Sequence, residues 1–297
     1  MDRNTANWGA FGKICCCLLL SLSSISMFPG FTAAEQRSAS IFEHAARLIE
    51  AEGKQLEHGK KVAVIIDDLG NGMQGTEEIM NLPVKLTVAV MPFLPTTEAD
   101  ARKAHEVGHD VLIHLPLEPK QGPTRWLGPG AILTKMTDEE IRKNVEAAIE
   151  NVPYAIGINN HMGSKVTGDE RVMSIILDVC RERGLFFVDS RTNYRSIIFK
   201  LCRQKGMPQI KNDIFLDDVH TEAHISRQMD KVAEQVQTEG KCITIGHVGT
   251  KGKKTAAVLK KYIPKLQEQG IDFVGVSEMV RDVKTPGQWP GGGFILP

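Results

Sequence analysis

The chain has no excess of either charge: Lys+Arg and Asp+Glu both number 36 in 297 residues. That balance removes the electrostatic footprint of a nucleic-acid binder or of a protein held on an anionic membrane surface. Cysteine is scarce where it would matter. Three of the six, Cys15, Cys16 and Cys17, crowd into the first 34 residues, and Cys180, Cys202 and Cys242 stand far apart without CxxC spacing. A disulfide-built fold is excluded, and the last three read as buried apolar thiols. No Gly-rich dinucleotide loop follows the first apolar run, since Gly70, Gly72 and Gly75 have the wrong context. Low-complexity linkers, internal repeats and a second domain are also missing. Aromatics are few, with three Trp and three Tyr, and Trp126 is the one tryptophan in mid-chain.

What is present begins with an address. Arg3 and Lys13 precede an apolar segment from Ile14 to Phe28, Pro29-Gly30 breaks it, and Thr32-Ala33-Ala34 supplies small residues before Glu35. The segment is short for a membrane span and carries four serines. Residues 1–34 therefore read as a cleaved signal peptide rather than an anchor. The mature chain is expected to be exported, periplasmic or extracellular, with no integral membrane domain. Residues 35–60 read as a lead-in helix, 61–285 as one α/β domain, and 286–297 as a loose Gly/Pro-rich tail.

Within the domain, apolar runs recur at Val62–Ile66, Leu86–Met91, Val111–Leu115, Ala155–Ile158, Leu185–Val188, Ile214–Leu216, Cys242–Ile245 and Phe273–Val276. Helix-like segments separate most of them: Thr96–Val107, one opened by Thr137-Asp138-Glu139-Glu140, Asp169–Arg183, Thr221–Glu239 and Lys253–Gln269. Eight strands alternating with helices predict a mostly parallel sheet. A closed barrel and an open doubly wound sheet both fit, and the strand count and domain size favour the barrel.

In such folds functional residues collect at the C-terminal ends of strands. Strand one runs into Asp67-Asp68, strand three into His114, strand four into Asn159-Asn160-His161, strand five into Asp189-Ser190-Arg191, strand six into Asp217-Asp218 and strand seven into His247. Two adjacent carboxylates at the end of a buried strand are costly unless a cation or an acid–base task needs them. The plain alternative is an N-cap pair for the next helix. His114 is either a satisfied core histidine or a metal ligand, and His161 either a turn residue or a ligand. His247, between Gly246 and Gly249, has room beside its ring and suits a general acid, against a simple turn histidine. His109 reads as structural, and His220 and His224 as surface residues.

In order, Asp67-Asp68-Leu69-Gly70, Gly108-His109-Asp110, His114-Leu115-Pro116-Leu117-Glu118-Pro119, Asn159-Asn160-His161-Met162-Gly163-Ser164, Val188-Asp189-Ser190-Arg191-Thr192 and Ile245-Gly246-His247 resemble the polysaccharide deacetylases, and their divergent branch in particular. The likeness covers roughly residues 61–282. It implies a distorted (β/α) barrel of seven to eight strands and metal-dependent removal of N-acetyl groups from carbohydrate polymers. It makes Asp67 the general base, Asp68 and His114 ligands of one divalent cation, expected to be zinc, and His247 the general acid. The family's second histidine, four residues after the first, is here Glu118. His161 is the preferred third ligand and Glu118 its rival. The family's arginine-proline motif is also missing, with Asn160-His161 near its place. Asn160, Asp189 and Arg191 are candidate substrate contacts, and Trp126 a candidate stacking surface for a sugar. The rival reading is a non-catalytic envelope binding or scaffold protein on the same barrel. A weaker third is another metallohydrolase.

Overall fold

The computed structural model describes residues 59–283. The expected signal peptide, nearly all of the lead-in helix and the tail lie outside them. Among the described residues there are nine strands: β1 (Lys60–Leu69), β2 (Thr87–Val90), β3 (Asp110–Leu117), β4 (Ala155–Met162), β5 (Phe186–Asp189), β6 (Ile210–Lys211), β7 (Ile214–Phe215), β8 (Lys241–His247) and β9 (Ile271–Val274). The helices are α1 (Thr76–Met80), α2 (Thr97–Glu106), α3 (Asp138–Asn151), α4 (Glu170–Glu182), α5 (Ile198–Gln204), α6 (Glu222–Glu239), α7 (Gly252–Glu268) and α8 (Val276–Arg281).

All strand pairs are parallel, in the order β6-β5-β4-β3-β2-β1-β8-β7. β9 pairs with the first half of β1, through Lys60–Ala63, while β2 takes the second half, from Ile65. The two ends of the path, β6 and β7, are separated by only Asn212 and Asp213 in the chain. The result is an incomplete (β/α) barrel, distorted as expected. All eight predicted strands are found, and the two-residue β6 is added. A run that short carries no periodic signal.

The five predicted helices are α2, α3, α4, α6 and α7. Thr137 and Glu140 form the reciprocal capping box that the sequence suggests, and Asp169 and Thr221 also cap their helices through the side chain. Thr96 does not: its hydroxyl accepts from Gly72 N–H and donates to Asp100. Helices α1, α5 and α8 have at most seven residues, too few for a clear amphipathic period.

Strand β1 is the centre of the molecule. Val62–Asp67 is buried without interruption, as expected of a strand covered on both faces. β3 is buried throughout, although it contains Pro116. Its pairing with β2 ends at Ile113, so the missing Pro116 N–H breaks no ladder on that side. Between the β1–α1 loop and the start of α7 the backbones touch. A Cβ on Gly252 would stand 2.0 Å from the Gln74 carbonyl oxygen, so only glycine fits. This crossing brings the loops after β1 and β8 together at one end of the barrel. Among the described residues no helix is long and apolar enough to cross a membrane.

Candidate metal centre

Adjacent residues on a regular strand point to opposite faces, so Asp67 and Asp68 should not share a site. The backbone resolves the conflict with a bulge. Ile66 pairs with Val88 and Leu69 with Val90, so two residues of β1 stand opposite one of β2. Asp68 adopts φ 70°, the left-handed region that Asp tolerates better than most residues. Both carboxylates thereby reach the same side. The N-cap alternative fails, because α1 begins only at Thr76, behind Gly75.

Alternation does the rest on β4. Asn159 and His161 are two residues apart and share the face toward His114, and β3 and β4 are in register with His114 opposite Asn159. Asp68 Oδ1 lies 3.4 Å from His114 Nε2 and 3.2 Å from His161 Nδ1. The two ring nitrogens are 3.1 Å apart. Donor atoms sharing a zinc ion at ~2.0–2.1 Å stand about 3 Å from one another, so the spacing fits a small cation.

The outer contacts make the fit specific. His114 Nδ1 is 2.8 Å from Asn159 Oδ1, and His161 Nε2 is 3.2 Å from the Trp126 carbonyl oxygen. Both partners are acceptors, so each ring puts its N–H outward and its lone pair inward. Two lone pairs facing each other beside a carboxylate repel unless a cation stands among them. A proton alone can serve: burial opposes charge on His114, yet Asp67 and Asp68 raise its pKa to about 9. Burial likewise opposes the charge on Asp68, but its hydrogen bonds to the two histidines win and hold its carboxyl well below the usual range. Asp68, His114 and His161 form the one group of this kind among the described residues.

Asp67 is buried and adjoins the cluster, 3.7 Å from His114 Nε2. Burial raises its pKa, with His114 and His247 offsetting part of that. His247 is in register beside Asp67 across the β1–β8 pair. Its Nδ1 lies 2.7 Å from Asp217 Oδ1, while Asp217 Oδ2 accepts from His247 N–H at 2.8 Å and from the Thr255 hydroxyl at 2.7 Å. Asp217 is wholly buried, and the pairing turns His247 Nε2 away from it. Burial works against the imidazolium, but the Asp217 contact outweighs it and raises the His247 pKa. The room beside Gly246 belongs to Thr255: an added Cβ would meet its methyl carbon at 2.9 Å. Gly246 thus admits the support of Asp217. Thr255→Val should leave Asp217 short of one donor and destabilise the fold by about 1–3 kcal/mol, read as a lower Tm in a thermal melt.

Residues 64–280 match the family model described as divergent polysaccharide deacetylase. The chain belongs to this family. Relatives include the uncharacterized protein YibQ of Escherichia coli (strain K12), 36% identical over 187 residues, which are 63% of this chain and 58% of YibQ. An uncharacterized protein of Haemophilus influenzae is 33% identical over 225 residues, covering 76% of this chain and 78% of that one. The crystal structure of uncharacterized protein ATU2773 from Agrobacterium tumefaciens C58 shares the fold, with a TM-score of 0.70 and 23% identity over 75% of this chain and 89% of that one.

In this deacetylase-family chain the remaining expected residues fall outside the cluster. Glu118, the rival third ligand, binds Lys165 through Oε1 and both the N–H and the hydroxyl of Thr134 through Oε2, each at 2.7 Å. Asn160 alternates away from the site. Its amide oxygen accepts from Ser190 N–H, and its NH2 donates to the Met162 carbonyl and Thr192 hydroxyl. Asp189 is buried and accepts from Arg191 N–H, shaping a turn in which Arg191 has φ 62° and stays exposed. His109 accepts from Leu86 N–H and is structural as expected, and His220 is exposed. His224 differs from expectation: it is half-buried, 2.6 Å from Asp218. Cys180, Cys202 and Cys242 are buried free thiols. Asn159, Asp217 and Thr255 are the supports to which the sequence assigned no role. Their visible signs were the strand-end groups Asn159-Asn160-His161 and Asp217-Asp218, and Thr255 had none.

Proposed function

We propose that this chain is an exported hydrolase that depends on one divalent cation, zinc by its donor set, and removes N-acetyl or similar acyl groups from a carbohydrate. The observation that carries the reading is the convergence of Asp68, His114 and His161 beside a buried carboxylate and an Asp217-held imidazole. Those three residues would hold the cation, which supplies Lewis-acid polarisation of the acyl carbonyl when bound. Asp67 accepts the proton of the attacking water, helped by the burial that raises its basicity. His247 gives its Nε2 proton to the departing amine, and Asp217 stabilises the imidazolium from the other side. The partly exposed side chains of Asp68, His161 and His247 mark the open side of the cluster.

A carbohydrate substrate is supported by exposed apolar side chains on the loops that follow the strands. Met73, Phe93, Trp126, Tyr194 and Val219 stand after β1, β2, β3, β5 and β7, with Trp126 59% and Tyr194 99% exposed. Aromatic faces of this kind can stack on pyranose rings. Arg191 is the candidate polar contact, with Asn160 and Asp189 forming its turn. Export rests on the composition of residues 1–34.

The test is zinc content together with acetate release from N-acetylated glycan oligomers by the purified chain. About one zinc per chain and cation-dependent acetate release are expected. A full zinc site with no release from any acetylated envelope glycan would favour the scaffold reading, and no zinc uptake would remove the metal centre.

A further inference from the structure

We infer that Asn159 is a positioning residue that sets two groups of this site at once: the tautomer of the ligand His114 and the orientation of the base Asp67. The inference rests on the metal-hydrolase reading above and adds a residue to it. Asn159 is fully buried on β4, opposite His114 in the β3–β4 register. Its Nδ2 is 2.8 Å from Asp67 Oδ1, and its Oδ1 is 2.8 Å from His114 Nδ1.

The direction of both bonds follows from chemistry. An ionised carboxylate only accepts, so the amide must turn its NH2 to Asp67. The amide oxygen then faces His114 and only accepts, so His114 must carry its proton on Nδ1. The Nε2 lone pair is left for the cation, toward Asp68 and His161. The opposite amide orientation would set two oxygens without a hydrogen against each other at Asp67. The charge of the base thus dictates, through one side chain, which nitrogen of the ligand is free. Asp67 Oδ1 is occupied in the same bond, so Oδ2 is the oxygen left to take the proton of the water. It is also the oxygen nearer His114 Nε2.

Two substitutions separate the two roles. Asn159→Asp keeps an acceptor for His114 Nδ1 and replaces the neutral amide donor by a second carboxyl against Asp67. That oxygen pair is tied up in a shared proton, which no longer leaves Asp67 a free base. Asn159→Leu loses both the acceptor and the donor. Zinc affinity of the purified chain, measured by chelator competition, should fall about 10–100-fold in Asn159→Leu, the usual effect of losing an outer partner of a metal histidine. It should stay within a few-fold of the parent chain in Asn159→Asp. Acetate release per bound zinc should fall in both. Thermal melts of the metal-free forms identify any variant that does not fold, and Asn159→Asp then carries the test alone. Equal loss of zinc affinity in the two folded variants, or unchanged turnover per zinc in Asn159→Asp, would overturn the inference. Failure of the parent chain to bind zinc would instead count against the metal centre itself.

Discussion

Asp68→Asn is expected to remove most bound cation and with it turnover, with zinc affinity falling by more than the ~10–100-fold typical of an outer partner. Asp68 Oδ1 is the single anionic donor of the cluster, at 3.4 and 3.2 Å from the two ring nitrogens. Without its charge the three donors would all be neutral, and the remaining carboxylate, Asp67, stands outside the donor group. The choice of asparagine matters. Asp68 has φ 70°, where alanine would add about 1–2 kcal/mol of backbone strain and could lose the bulge itself. Asparagine tolerates that region, so a loss of zinc with an unaltered far-ultraviolet spectrum reports on the donor alone. His114→Ala should act the same way. Metal analysis finding full occupancy in both variants removes these residues from the centre.

The second large effect belongs to a residue that touches no substrate. Asp217→Asn should lower turnover by about 10²–10⁴-fold while zinc content stays unchanged. Asp217 accepts three hydrogen bonds with two oxygens. An asparagine that keeps its oxygen on His247 N–H and the Thr255 hydroxyl must turn its NH2 toward His247 Nδ1. That ring nitrogen then accepts instead of donating, and the imidazolium needed for proton donation loses its partner. Burial opposes the His247 charge, and the Asp217 contact is the main influence raising its pKa. Removing the contact therefore moves the alkaline fall of the rate to lower pH.

Stability should follow the same pair. The raised pKa of His247 contributes stability that is present below the ordinary imidazole value and lost as pH rises through the folded value. Burial pushes the Asp217 carboxyl up, but its bond to His247 lowers it overall. That contribution is present above the ordinary carboxylate value and lost as pH falls through the folded one. The gap in Tm between parent and Asp217→Asn should thus be widest at about pH 4–6.5. A gap independent of pH, or an alkaline limb that does not move, would show that Asp217 acts by packing alone.

The sequence by itself determined the parallel α/β plan, because buried strands announce themselves as apolar runs and most of the helices as capped, amphipathic segments. It also determined the residue types at the strand ends, since the barrel gathers those ends whatever the loops do. Asp67, Asp68, His114, His161 and His247 are all visible this way. Tertiary structure decided which of them meet. Alternation along β4 selects Asn159 and His161 for the site and turns Asn160 away; the apolar run stops at Ile158 while β4 continues to Met162, so these polar residues read as a turn and their parity is hidden. The bulge at Asp68 lets neighbouring carboxylates act together, and nothing in the order Asp-Asp signals a left-handed backbone. Glu118 is turned to Lys165 and Thr134, partners 47 and 16 residues away in the chain, and stands outside the group formed by Asp68, His114 and His161. The supports Asn159, Asp217 and Thr255 were hidden for the same reason: a hydrogen bond between distant residues leaves no period or spacing in the sequence, and exists only once the strands are aligned.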